Sequence, residues 1–200
     1  MLKSMNLRNK KMGYNQKLSK FVFALLLIYF ALDYFFEFWI GICAPGGLYW
    51  PFAHQHLNFI AWYRDFLISG SQVIAALWGI KSISNATAML LIGYGGVKIV
   101  YSCLGYGIIS LLIAFGIAVP DKKFKNRLIF ILSSVLLFSL FNMLRLFVVA
   151  FYAKTVAGMR VDHHDIFNWI CYIIIFTGMY FWMNKKNAPN KKSHVGESTT

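Results

Sequence analysis

Acidic residues are scarce. Seven Asp and Glu stand against twenty Lys and Arg, and charged residues of both signs make up only 14% of the chain. So little charge cannot keep in solution a chain that is 58% hydrophobic and 18% aromatic, with a mean hydropathy of +0.57; an ordinary soluble domain is excluded. Cysteine is sparse too: Cys43, Cys103 and Cys171 are too few and too scattered for a metal cage or a disulfide framework. No internal repeat is visible, which argues against the repeat-built plan of a small transporter. The basic N-terminal stretch and its apolar run lack a small-x-small cleavage site, and the run carries Asp33 and Glu37. Ile42 precedes Cys43, where a lipoprotein would place a small residue. The first segment therefore reads as a retained anchor, not a cleaved signal.

What the chain has in quantity is long apolar runs. "FVFALLLIYFALDYFFEFWIGI" and "RLIFILSSVLLFSLFNMLRLFVVAFYA" can each cross a hydrocarbon layer of about 30 Å at about 1.5 Å per residue. Four spans are expected, near 21–42, 103–120, 128–152 and 165–184. The stretch 66–83 is shorter and less apolar, and fits an interfacial helix at least as well as a fifth span. In "NATAMLLIGYGGVKIVYS", two short runs of large apolar residues flank "GYGG", a β-hairpin pattern in which Gly95 and Gly96 would supply positive φ. No Lys-Ser/Thr pair follows those glycines, so the loop does not read as a phosphate cradle. The expected fold class is an all-α polytopic membrane protein with four or five transmembrane helices, an extracytoplasmic interfacial helix and a short β-hairpin before the second span. Residues 1–20 would form a basic cytoplasmic tail, 21–184 a single transmembrane domain, and 185–200 a disordered cytoplasmic tail.

A net charge of +13 would suggest nucleic acid in a soluble chain, but no basic face interleaved with aromatics is evident. The cations instead follow the pattern of cytoplasmic loops. Fourteen of the twenty lie in the N-terminal tail, in "DKKFKNR" or after residue 184. With four spans these regions share one side, which puts both termini and the 121–127 loop in the cytoplasm. The region 43–102, with Arg64, Lys81 and Lys98, and the loop 154–164 then face outward.

On that topology three polar groups from three different spans fall in the outer part of the membrane. Arg145, in "FNMLRLFVVAF", lies seven residues from the outer end of its span, about 10 Å deep. Asn142 is on the same helix face, three residues earlier. A guanidinium at such depth costs about 2.5 kcal/mol or more and marks function by default; its structural alternative is a buried pair with Asp33 or Glu37. Cys103 opens the second span, where Gly105 and Gly107 leave a face with little bulk on which a helix or peptide backbone could settle. His163 and His164 open the last span in "DHHDIFNW". These histidines with His54 and His56 form a conceivable zinc set, although adjacent histidines seldom ligate one ion well; no metal or other cofactor is expected. For Cys43 and Cys171 the expectation is core packing.

A thiolate is the nucleophilic form of cysteine and a neighbouring cation stabilises it. A histidine can carry the proton from thiol to leaving amine, and an arginine can hold the oxyanion that develops in acyl transfer. Cysteine, histidine and arginine therefore suffice for thiol-based peptide cleavage or transpeptidation.

The residues that carry this set resemble the exosortase/archaeosortase family of multi-pass membrane proteins. "VKIVYSCLGYGIISLL" is similar to the family's Cys-x-Gly block, "FNMLRLFV" to its Asn-x-x-Arg block and "HHDIFNWICYIIIF" to its closing His block. Order and spacing agree over residues 85 to 184. The resemblance implies a cysteine transpeptidase or protease of the cytoplasmic membrane. Its protein partners would be membrane-anchored substrates with C-terminal sorting signals, each a short motif, a transmembrane helix and a basic tail. Cys103 would be the nucleophile, Arg145 the stabiliser of thiolate and oxyanion, and His164 (or its neighbour His163) the general acid and base, supported by Asn142 and Gly105. A different class stays open beside it: a non-catalytic accessory factor for polysaccharide or lipid export, whose polar residues only hold helices together.

Overall fold

The structure is a computed structural model that describes residues 2–44, 48–120, 122–154 and 163–184; side chains are described for 15–44, 48–120, 122–154, 169 and 171–184. It runs α1 (Leu2–Cys43), α2 (Pro51–His56), α3 (Phe59–Leu77), β1 (Ser82–Asn85), β2 (Ala88–Leu91), β3 (Gly95–Lys98), a 3₁₀ turn (Tyr101–Leu104), α4 (Tyr106–Ala118), α5 (Phe124–Tyr152) and α6 (His163–Asn184). Among the described residues, three segments are long and apolar enough to cross a membrane: Asn15–Cys43, Tyr101–Ala118 and Phe124–Tyr152. Cys171–Asn184, within the described part of α6, is a shorter apolar helix. This is an all-α membrane protein with one small sheet. The expected tail 185–200 lies outside the described residues.

α5 is the axis of the molecule. Its outward face carries Leu128, Leu132, Leu136, Leu140 and Leu144, all exposed, while Ser139, Asn142 and Arg145 are buried with Phe138 and Leu146. Apolar side chains outward and polar ones inward is the distribution a lipid solvent favours, since an intramembrane charge must face protein or water. α4 runs antiparallel to both α1 and α5. Phe21 meets Phe115 near one end of the α1–α4 pair, and Phe36 stacks on Tyr106 at the other with ring centroids 4.8 Å apart. Gly116 lets α4 and α5 touch: a Cβ there would come within 2.5 Å of Ile131 Cγ1. Small residues at such crossings allow the close approach that drives helix association in lipid. The α4–α5 turn is tight because Pro120 holds Val119 extended (φ −58°, ψ 121°). Arg127 then closes the end of α4, its Nη1 donating to Ile117 O at 2.9 Å and its Nε to Lys122 O at 3.1 Å.

α3 begins at Phe59 and ends at Leu77, earlier than the 66–83 stretch, whose last two residues are already β1. Asn58 sets its start by accepting from Ala61 N at 3.0 Å. The helix lies along α5. Ser71 Oγ donates to Met143 O at 3.0 Å, Tyr63 and Ser139 hydroxyls are 3.0 Å apart, and Gly70 leaves room for the Met143 thioether.

The hairpin expectation is corrected in two respects. The sheet has three antiparallel strands in the order β1-β2-β3, because "SISN" pairs with β2 from Ser82↔Leu91 to Asn85↔Ala88. Asn85 Oδ1 builds the first turn by accepting from Thr87 N and Ala88 N at 2.9 and 2.8 Å. In the second turn the positive φ belongs to Gly93 (+94°), not to Gly95 or Gly96, which are paired in β3. Gly95 serves packing: a Cβ there would lie 2.7 Å from Ala153 Cβ and 3.0 Å from Ala150 O, so its absence seats the sheet on the end of α5. Tyr94 stacks on Phe151 at 4.4 Å beside it.

Candidate active site

The chain leaves the sheet, makes one 3₁₀ turn and enters α4 through Gly105, whose φ of +73° is left-handed. This conformation costs a side-chain-bearing residue and suits glycine. Gly105 also lies under the Phe138 ring of α5, where a Cβ would come within 2.4 Å of Cζ. Backbone conformation and close packing thus both fix the residue two places after Cys103.

Cys103 lies in the turn and is 7% exposed. Asn142, 2% exposed on α5, donates from Nδ2 to Cys103 O at 2.9 Å. Its Oδ1 faces Arg145 Nη1 at 3.5 Å, a long contact between groups one helical turn apart. Asn142 therefore links the backbone of the cysteine turn to the guanidinium. Arg145 is 9% exposed.

A cavity of about 560 Å³ opens between α1, α4, α5 and α6. Gly105, Asn142 and Arg145 line it, together with Tyr101, Ser102, Tyr106 and Gly107 from the α4 side. α1 contributes Tyr29, Asp33 and Glu37, so carboxylates and a guanidinium share one wall-bounded space. Opposite charges act more strongly there than in bulk water. Gly107 lets α1 come close, with Asp33 Oδ1 and Tyr29 Oη each 3.7 Å from where its Cβ would be. An apolar groove of about 80 Å³ between α5 and α6 shares Phe138 and Cys171 with this cavity.

Two placements differ from the expectation. Cys103 is not among the lining residues although Ser102 and Gly105 are, so at this point backbone and serine form the wall and the thiol packs with the core. Cys171, expected to be simple core, lines the cavity, as Arg145 does. Its nature as a cavity residue depends on which face α6 turns inward, which an all-round apolar helix does not encode. Asp33 and Glu37 carried a stronger signal. With Tyr29 they recur at four-residue intervals on one face of the apolar half of α1. His163 and His164 belong to the first turn of α6, and their side chains lie outside the described residues.

The family model for transmembrane exosortases matches residues 6–181. No curated protein and no solved structure matches the chain. The match covers most of the 200 residues, both halves of the molecule and every element from α1 to α6. The chain belongs to the transmembrane exosortase family.

Proposed function

We propose that the protein is a membrane cysteine transpeptidase or protease that cleaves C-terminal sorting signals of membrane-anchored secreted proteins at the outer face of the cytoplasmic membrane. The observation that carries this reading is Asn142, which holds Cys103 O at 2.9 Å and faces Arg145 from a buried position beside a 560 Å³ cavity. In this reading the Cys103 thiolate attacks the scissile carbonyl carbon, and Arg145 carries the charge that collects on the carbonyl oxygen. The C–N bond breaks as His164, or its neighbour His163, protonates the leaving amine, which leaves a thioester on Cys103. An amine or water, giving its proton back to the same histidine, then attacks the thioester carbonyl and the C–S bond breaks, restoring the thiolate and completing transpeptidation or hydrolysis. This reading requires the Cys103 sulfur, 7% exposed and packed in the core, to reach the cavity wall that Ser102 and Gly105 form.

The test is the membrane proteome of cells carrying Cys103→Ala. Accumulation of precursors that retain a C-terminal transmembrane helix and basic tail is the expected result. Unchanged processing would favour the non-catalytic export-accessory reading, in which Arg145 and Asn142 only tie helices together. Arg145→Lys is the companion variant: a point ammonium cannot reproduce the planar fork, and processing should slow strongly while the protein remains folded.

A further inference from the structure

Among the described residues β3 is an edge strand, paired with β2 on one side only. Ile99 N donates to Thr87 O at 2.8 Å, one step beyond the pair Ala88↔Lys98, and this bond fixes the phase of the ladder. Backbone groups alternate in direction along an antiparallel pair. Gly95, Val97 and Ile99 therefore turn their N–H and C=O toward β2, whereas Gly96 and Lys98 turn theirs away from the sheet. Both of these residues are exposed, and Gly96 has no side chain to obstruct an approach.

This edge runs straight into the cavity. Val100 is exposed and still extended (φ −85°, ψ 166°), and the next two residues, Tyr101 and Ser102, line the cavity wall. Gly95 sits against Ala153, while Cys103 is held by Asn142. Between the two the chain descends along α5 by about 16 Å, at about 1.5 Å per residue. β1, the other edge, leads back to α3, and neither it nor residues 78–81 contribute to the lining.

A row of outward N–H and C=O groups is complemented by another extended backbone. We propose that the β3 edge takes the substrate peptide as a fourth, parallel strand and so delivers the scissile bond to the cavity at Ser102. This rests on the reading of the cavity as a peptidase site entered from the outer side. A substrate anchored by a C-terminal transmembrane helix runs inward from its N-terminal side, as β3 does, and this common direction makes the pairing parallel. In such a pair Gly96 and Lys98 bond alternate residues of the incoming chain. At about 3.3 Å per residue, Lys98 meets the substrate about four places before the scissile bond. A shallow hollow of about 410 Å³ beside the same edge, lined by Ala88, Leu90, Gly96 and Lys98, leaves room for a substrate side chain.

The test is pulse-chase processing of a precursor that accumulates in Cys103→Ala cells. Lys98→Pro removes an outward N–H that β2 does not use, at an edge position where proline is tolerated. Lys98→Ala loses the same side chain and keeps the N–H, so the ratio of the two rates reports the backbone contact alone. Lys98→Pro should process about tenfold more slowly than Lys98→Ala, the scale of one lost hydrogen bond. Ser84→Pro, which removes an outward N–H from β1, should process at the parent rate. Equal rates in Lys98→Pro and Lys98→Ala would overturn the strand docking, as would an equal loss in Ser84→Pro. A second measurement stands if Lys98→Pro does not fold: Lys98→p-benzoylphenylalanine in the Cys103→Ala chain, irradiated in cells. Cross-links should fall on the precursor in the few residues before its transmembrane helix. Cross-links to a second copy of the chain, or none to the precursor, would overturn the proposal. Failure of the peptidase reading shows separately, as no precursor accumulating in Cys103→Ala cells, and the docking falls with it.

Discussion

Adding one methyl group at Gly105 tests how the cysteine turn is held. The residue sits at φ +73°, where a side-chain-bearing residue pays about 1–2 kcal/mol. Its new Cβ would also come within 2.4 Å of Phe138 Cζ, and overpacking of this kind costs about 1–3 kcal/mol. Gly105→Ala should therefore lose about 2–5 kcal/mol of stability. The two causes can be separated. Phe138→Leu shortens the opposing side chain, so the double variant should recover the overpacking part and keep the backbone part, about 1–2 kcal/mol. The assay is thermal unfolding of the four proteins in one detergent, read as a double-mutant cycle, with precursor processing measured in parallel. Processing should fall in Gly105→Ala more than in an equally destabilised variant elsewhere, because the displaced peptide carries Cys103. A Gly105→Ala protein as stable as the parent would refute the reasoning. Full restoration by Phe138→Leu would refute its backbone half.

Other perturbations probe separate contacts. Asn142→Ala strips the Cys103 carbonyl of its buried donor and should cost about 1–3 kcal/mol, with processing lost; equal stability in a detergent melt would contradict the contact. Gly95→Val would drive a side chain into Ala153 and the Ala150 carbonyl, so limited proteolysis should cut residues 82–98 faster while α5 stays protected. Ser71→Ala removes one bond between α3 and α5 and should cost only about 0.5–1.5 kcal/mol, a small shift in the melting temperature with processing intact.

How legible these features were depends on what carries each one. Arg145 and Asn142 could be placed on one buried face because their three-residue spacing is a property of the helix alone. The spans followed from run length, as α1 and α5 illustrate. Pairing partners were harder. "GYGG" offered three glycines, and only the register of β2 against β3 decides that Gly93 turns while Gly95 packs. β1 went unseen because "SISN" is short and mostly polar, and it acquires strand structure by pairing with β2. At the site, the Cys-x-Gly pattern marks a peptide whose packing the pattern does not show: Asn142 grips the backbone oxygen of Cys103, and Gly105 yields to Phe138. The place of Cys171 on the cavity wall escaped because it depends on neighbours from other helices, brought close only by tertiary packing.

In the proposed reaction the sulfur of Cys103, and not that of Cys171 on the cavity wall, does the chemistry. The most direct measurement is precursor processing in cells whose chain keeps a single cysteine. A protein with Cys43→Ala and Cys171→Ala should still mature its substrates, whereas one with Cys43→Ala and Cys103→Ala should leave every precursor uncut. Maturation sustained by Cys171 alone would contradict the account.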